Sequence, residues 1–183
     1  STCTTGRTKI GINVNNYTCI DCQKGSVAQA GDVTCTNCTA GLYQQKSGQG
    51  TCIPCESGTW SDKEGSSSST NCLHCDPGLY STATGSSTKS SCNPCPPGSK
   101  SNVLGAKNSS VCVECKRGKS SNSGSIQCTN CPVGKHQNHS GSAACLSCQP
   151  GRSQKEEGSR SCNKCRRNYF TEVSSSSICN ECK

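Results

Sequence analysis

The stretch CLHCDPGLYSTATGSSTKSSCNPC, residues 72–95, opens and closes on the same Cys-x-x-Cys step. Between the steps lie a glycine after Pro77, one tyrosine and a run of Ser and Thr, with no apolar segment to form a core. A chain that returns to the same step after so plain a segment is repeating a unit. The pattern extends in both directions. Steps begin at Cys19, Cys35, Cys52, Cys72, Cys92, Cys112, Cys128, Cys145, Cys162 and Cys179, at intervals of 16, 17 or 20 residues. These ten steps use twenty of the 21 cysteines and leave Cys3. Self-similarity at a short fixed period marks a repeat architecture.

Two glycines keep the same register. A turn glycine stands three residues after the second cysteine of a step: Gly25, Gly41, Gly58, Gly78, Gly98, Gly118, Gly134 and Gly151. Gly6 stands three residues after Cys3, so Cys3 reads as the second half of a step. Asn168 takes this slot after Cys165, and Asn is the non-glycine residue that best tolerates positive φ. The spacing predicts a turn whose third residue is left-handed. A loop glycine follows six or seven residues later: Gly31, Gly48, Gly65, Gly85, Gly105, Gly124, Gly141 and Gly158, with Ser175 in the last repeat. The three consecutive repeats between Cys52 and Cys112 are three residues longer, which enlarges one exposed loop.

Turns so closely spaced leave room only for short strands, and no segment shows a 3.6-residue apolar period. The expected fold is small, disulfide-rich and irregular β, with essentially no helix: a linear, rod-like array of about ten short hairpin repeats. Their approximate bounds are 3–19, 22–35, 38–52, 55–72, 75–92, 95–112, 115–128, 131–145, 148–162 and 165–179. In such an array each repeat is expected to touch only its neighbours. Two residues after the turn glycine, the side chain is aromatic at Tyr43, Trp60, Tyr80 and Phe170, and is read as a ring over the neighbouring disulfide. Elsewhere it is Val27, Lys100, Ser120, His136 or Ser153, so the stretch 100–153 is expected to be the least well packed.

Composition explains the need for cross-links. Apolar residues make up 29% of the 183 residues, against roughly half in ordinary domains. Ordering this chain costs on the order of 200 kcal/mol or more, and so few apolar side chains do not offset that. Cysteine links must substitute, through sulfur or through metal. Paired Cys-x-x-Cys steps also fit four-cysteine zinc sites. Zinc would group the steps two by two, whereas these repeats are near-equivalent and Cys3 would have no role. The reading is therefore disulfides, with no metal and no cofactor. The favoured ladder joins the second cysteine of one step to the first of the next: Cys3–Cys19, Cys22–Cys35, Cys38–Cys52, Cys55–Cys72, Cys75–Cys92, Cys95–Cys112, Cys115–Cys128, Cys131–Cys145, Cys148–Cys162 and Cys165–Cys179. Pairing step with step, first to first and second to second, satisfies the same spacing and stays open. Under the ladder Cys182 is unpaired or intermolecular, and the expectation is an excerpt of a longer or polymerised chain. Thioredoxin-like chemistry needs a single step at a helix N-terminus, not ten copies in a helix-poor chain.

With the turn glycine, aromatic and loop glycine in place, the pattern resembles the ephrin-receptor-like cysteine-rich repeat, a relative of tumour-necrosis-factor-receptor and EGF-like modules. CIPCESGTWSDKEGSSSSTNCLHC and CLHCDPGLYSTATGSSTKSSCNPC carry it most fully. Long arrays of this kind are also similar to cysteine-periodic surface antigens of protists. The resemblance implies an extracellular or cell-surface location, disulfides and no catalysis, and it implies no particular ligand.

Other candidate sites are weaker. Sequons lie at Asn16, Asn37, Asn108 and Asn138, about the number that chance gives for this Ser/Thr content, and Asn37 ranks last because Cys38 sits inside its sequon. The net charge of +8 falls entirely on residues 100–183. Its densest groups are Lys116, Arg117, Lys119 and Lys164, Arg166, Arg167, candidates for contact with an acidic glycan or a neighbouring protomer. The competing reading is a solvated basic face. Few aromatics accompany the charge, which argues against nucleic acid. His136 and His139 lack a third ligand in sequence. No set of residues supports catalysis, and no apolar run is long enough for membrane insertion. The expected function is a structural extracellular glycoprotein, a stiff rod that assembles with copies of itself or other extracellular proteins into a fibre or coat. The alternative is a ligand-binding segment of a receptor ectodomain.

Overall fold

The computed structural model describes residues 2–13 and 16–182, with the backbone alone at 12, 13 and 16. The chain divides into two compact lobes. One comprises Ser1–Asp76, Tyr80–Cys92 and Gly105–Asn108; the other comprises Pro77–Leu79, Asn93–Leu104 and Ser109–Lys183.

Each lobe is built of antiparallel hairpins. In the first lobe Arg7–Asn13 pairs with Asn16–Asp21, Ser26–Val27 with Thr36–Asn37, Leu42–Tyr43 with Ile53–Pro54, and Thr59–Trp60 with Leu73–His74. In the second Ser99–Lys100 pairs with Val113–Glu114, Lys119–Ser120 with Thr129–Asn130, and Lys135–His136 with Leu146–Ser147. Arg152–Ser153 then pairs with Asn163–Lys164, and Tyr169–Phe170 with Asn180–Glu181. The strands Leu79–Tyr80 and Asn93–Pro94 fall where the lobes divide. Except in the first hairpin, strands are two residues long, because the turn and loop glycines leave no room for more.

The first hairpin was not foreseen. Its strands run seven and six residues. Cys3–Cys19 encloses no loop glycine at the usual distance, so nothing stops the strands after two residues. Arg7 and Asp21 close it with an ion pair at 2.6 Å, and Lys9 lies over the Tyr17 ring.

The marked turns have the predicted conformation. Every turn glycine and loop glycine has positive φ, and so do the two substitutes, Asn168 at 68° and Ser175 at 62°. The extra residues of the long repeats do not form a plain loop. Each set coils into one 3₁₀ turn, Ser69–Asn71, Lys89–Ser91 or Ser109–Val111, with no buried residue. Before the first of these turns the Ser68 hydroxyl accepts from the Thr70 amide and satisfies a free N–H; Thr88 makes no such bond before the second.

Repeats are joined by backbone hydrogen bonds. In the first lobe the Gly25 amide donates to Gln44 at 2.8 Å, and the Gly48 amide donates back to Cys22 at 2.8 Å. The same exchange recurs in the second lobe, from Gly118 to Gln137 and from Gly141 to Cys115. Contact does not stop at the neighbour, as the sequence reading expected. The turn glycine packs on the loop-glycine carbonyl two repeats further on: Gly6 on Gly48, Gly25 on Gly65, Gly41 on Gly85 and Gly58 on Gly105. In the second lobe Gly78 meets Gly124, Gly98 meets Gly141, Gly118 meets Gly158 and Gly134 meets Ser175. A glycine with no Cβ is what allows one backbone to approach another this closely.

The core is small and mostly sulfur. Among the described residues the buried apolar side chains are cysteines plus Ala28 and Ala106. Cys55, Cys75, Cys95, Cys115, Cys131 and Cys148 are all 0% exposed. Cys115, Cys131 and Cys148 in the stretch 100–153 are therefore as fully buried as Cys55 and Cys75 in the ring-bearing stretch, against expectation. From the second repeat on, what is uniformly buried is the residue three after the turn glycine or Asn168. It is Ala28, Gln44, Ser61, Ser81, Ser101, Ser121, Gln137, Gln154 and Thr171 along the array.

Its identity follows repeat length. The 20-residue repeats carry Ser, and three of the 17-residue repeats carry Gln. The glutamines bridge their own loop. Gln137 Nε2 donates to the Ala144 carbonyl at 2.7 Å, and its Oε1 accepts from the His139 amide at 3.2 Å. Gln44 and Gln154 make the same pair of bonds. In the long repeats the space is taken instead by Ser66, Ser86 or Ala106, all buried. Replacing Gln137 by Ala removes two hydrogen bonds made by a buried side chain and should cost about 1–2 kcal/mol. Chemical denaturation of the oxidised variant checks this, and Gln154→Ala should match it.

Candidate functional site

A surface groove lies over Cys55–Cys72 and again over Cys165–Cys179, and it is built from the chain upward. The turn glycine aims the next strand so that its second residue meets the disulfide of the following repeat. Ser120 Oγ lies 3.4 Å from Cys145 Sγ, His136 Nδ1 3.1 Å from Cys162 Sγ, and Ser153 Oγ 3.2 Å from Cys179 Sγ. Tyr43 takes this position above Cys55–Cys72, where it lines a cavity of 530 Å³ with Glu56, Thr59, Cys72, Leu73 and His74. Beside it Lys107 Nζ holds Glu56 at 2.7 Å. That hydrogen bond and the ammonium charge lower the Glu56 carboxyl below the usual glutamate range.

The corresponding groove near the end of the array has a cavity of 470 Å³. Ser153 stands where Tyr43 does, Arg166 where Glu56 does, and Tyr169 where Thr59 does. Lys155 and Lys164 also face it. The groove is thus one repeated frame whose chemistry changes from aromatic and acidic to cationic.

The ten disulfides run Cys3–Cys19, Cys22–Cys35, Cys38–Cys52, Cys55–Cys72, Cys75–Cys92, Cys95–Cys112, Cys115–Cys128, Cys131–Cys145, Cys148–Cys162 and Cys165–Cys179. Cys182 is free and exposed. Asn37, Asn108 and Asn138 are exposed; the Asn16 side chain lies outside the described residues. The Asn37 amide lies over Gly65 of a later repeat. Lys116, Arg117, Arg166 and Arg167 are exposed, while Lys119 is half-buried in its hairpin. Of the second basic group, Lys164 and Arg166 share the groove and Arg167 does not line it.

His136 and His139 are not brought together. His136 sits against Cys148–Cys162, and His139 is exposed with its amide bonded to Gln137. The donor atoms of His136, Cys148 and Cys162 lie within 4.8 Å of one another. Both sulfurs belong to one disulfide, so the cluster offers an imidazole and no thiolate, and thiolate is the metal-binding form.

Short hairpins, a ladder of disulfides and a repeated groove define a cysteine-rich repeat module. The family described as tyrosine-protein kinase ephrin type A/B receptor-like matches residues 25–72 and 118–161, together half of the chain, and the chain belongs to it. No curated protein matches the chain. The family is a receptor-like cysteine-rich module and not an enzyme family. With ten disulfides, the chain is of the extracellular, receptor-like repeat type. Among the described residues no helix is long and apolar enough to cross a membrane.

Proposed function

We propose that the chain is a structural segment of an extracellular protein, a disulfide-stapled rod that associates with copies of itself into a fibre or surface coat. The observation that carries this reading is the placement of its aliphatic side chains. The core takes almost none of them. The residue after the first cysteine of a step is instead presented outward: Ile20, Ile53 and Leu73 in the first lobe, Val113 and Leu146 in the second, each at least 40% exposed. An apolar side chain shown at the same place in five of the ten steps suits contact with another protein surface, and a recurring contact suits an identical array.

Light scattering and electron microscopy of the oxidised chain test this. Filaments or large assemblies are expected at micromolar concentration, and the combined Ile53→Ser, Leu73→Ser and Val113→Ser variant should shift them to monomer. Monomeric particles from the unaltered chain would overturn the assembly. The Cys182→Ser variant separates covalent from non-covalent association. The second reading, a receptor segment that binds a protein through its long repeats, draws on the groove lined by Tyr43, Leu73 and His74. That reading gains if the chain stays monomeric and Leu73→Ser abolishes binding of a captured ligand.

A further inference from the structure

We propose that the groove formed by Lys155, Lys164, Arg166 and Tyr169 is a binding site for a sulfated glycan. This goes beyond the assembly reading and does not depend on it. Three cations line one concavity, and no carboxylate lines it with them. Among the described residues each ion pair lies elsewhere, at Arg7–Asp21, Lys89–Asp76 and Lys107–Glu56. No ion pair neutralises the three cations, although Glu181 stands opposite Tyr169 across the hairpin, and a concave surface focuses their field.

The rest of the lining suits a sugar ring. Tyr169 is 43% exposed and Ile178 62% exposed, offering an apolar face to ring C–H groups beside the cations. The Asn163 side chain supplies an amide at the edge. An alternating arrangement of sulfate groups and apolar ring faces matches this mixture better than a flat array of charges does.

Repeat equivalence argues against a second copy of the chain as occupant. The residue after the second cysteine of a step is Glu56 and Asp76 in the first lobe, but Lys116 and Arg166 in the second. Complementary charge from the equivalent position of a second copy would have to come from those carboxylates. Both are already held, Glu56 by Lys107 and Asp76 by Lys89, at 2.7 Å.

The test uses the oxidised full chain carrying Cys182→Ser, at a concentration where scattering reports its association state independently. A fluorescent heparin octasaccharide is the probe, followed by anisotropy. Three phosphate-like contacts imply a loss of about 20-fold in affinity between 50 and 200 mM salt, on the scale of a flexible polyanion. Lys164→Glu with Arg166→Glu should reduce affinity at least tenfold, and Tyr169→Ala severalfold at unchanged salt dependence. Lys116→Glu with Arg117→Glu, outside the groove, should leave most binding intact. Unchanged disulfide maps show that each variant is folded. Equal losses from both charge pairs would overturn the site in favour of diffuse attraction. So would equal binding of desulfated heparin, a preference for phosphatidylserine vesicles, or no binding at 50 mM salt.

Discussion

Gly58→Ala should destabilise the oxidised array by ~3 kcal/mol or more, whereas Gly151→Ala should cost only about 1–2 kcal/mol. Both glycines sit at the same turn of their repeats, with φ of 79° and 76°. The conformational penalty for an L-residue is therefore common to both. What differs is the approach of another backbone. A Cβ on Gly58 would run into the Gly105 carbonyl and lie 3.0 Å from the Ala106 oxygen, while one on Gly151 would meet nothing within 4 Å. The obstructing carbonyl has little freedom to move, since the Gly105 amide is bonded to Cys75 at 2.9 Å.

Asparagine separates the two terms. It relieves most of the penalty for positive φ, but it still carries a Cβ. Gly151→Asn should therefore be nearly silent, as Asn168 already is in the same slot, and Gly58→Asn should remain severely destabilising. Guanidinium unfolding with disulfides intact measures all four variants. Equal effects at both positions would show that the contact two repeats away contributes nothing.

Complete reduction and alkylation should abolish the fold at 25 °C, with loss of amide-exchange protection throughout the chain. The reason is the composition of the core. Once the cysteines are set aside, only Ala28 and Ala106 are buried apolar residues among those described, and burial of two methyl-sized groups contributes only a few kcal/mol. Loops between bonded cysteines span 13 to 17 residues. At that length each cross-link restricts the denatured chain by about 3 kcal/mol, so Cys131→Ser with Cys145→Ser should cost roughly that much. Removing one link should lower the denaturation midpoint without unfolding the chain at 25 °C. Retention of native protection after full reduction would mean that hydrogen bonds alone hold the array, contrary to this account.

The turns, the repeat and the class of fold were legible in the sequence because cysteine and glycine leave marks with few alternative explanations. A left-handed residue is nearly always Gly or Asn, so Asn168 could be placed by register alone, and even Ser175 keeps positive φ at 62°. Connectivity was not decided by spacing, because step-to-step and alternating pairings close similar loops; the three-dimensional path joins Cys22 to Cys35 and not to Cys38. Position two after the turn glycine was read for its rings, yet Ser120, His136 and Ser153 hold the same place over a disulfide. The frame depends on the strand and not on the aromatic side chain.

The buried row at position three carried a visible signal, Gln in 17-residue repeats and Ser in 20-residue repeats, but polar residues are ordinarily assigned to the surface. Here they are inside because the core is thin and most of them bond the backbone of their own loop, the glutamines by donating to a carbonyl and Ser61 and Ser101 by accepting from an amide. The sequence by itself determined the local conformations, since those rest on single residues and their immediate spacing. Only the tertiary structure decided which glycine meets which carbonyl two repeats away, and that Lys155 joins Lys164 and Arg166 in one groove. Those contacts depend on how successive hairpins stack, a geometry set by backbone hydrogen bonds between repeats and carried by no single motif.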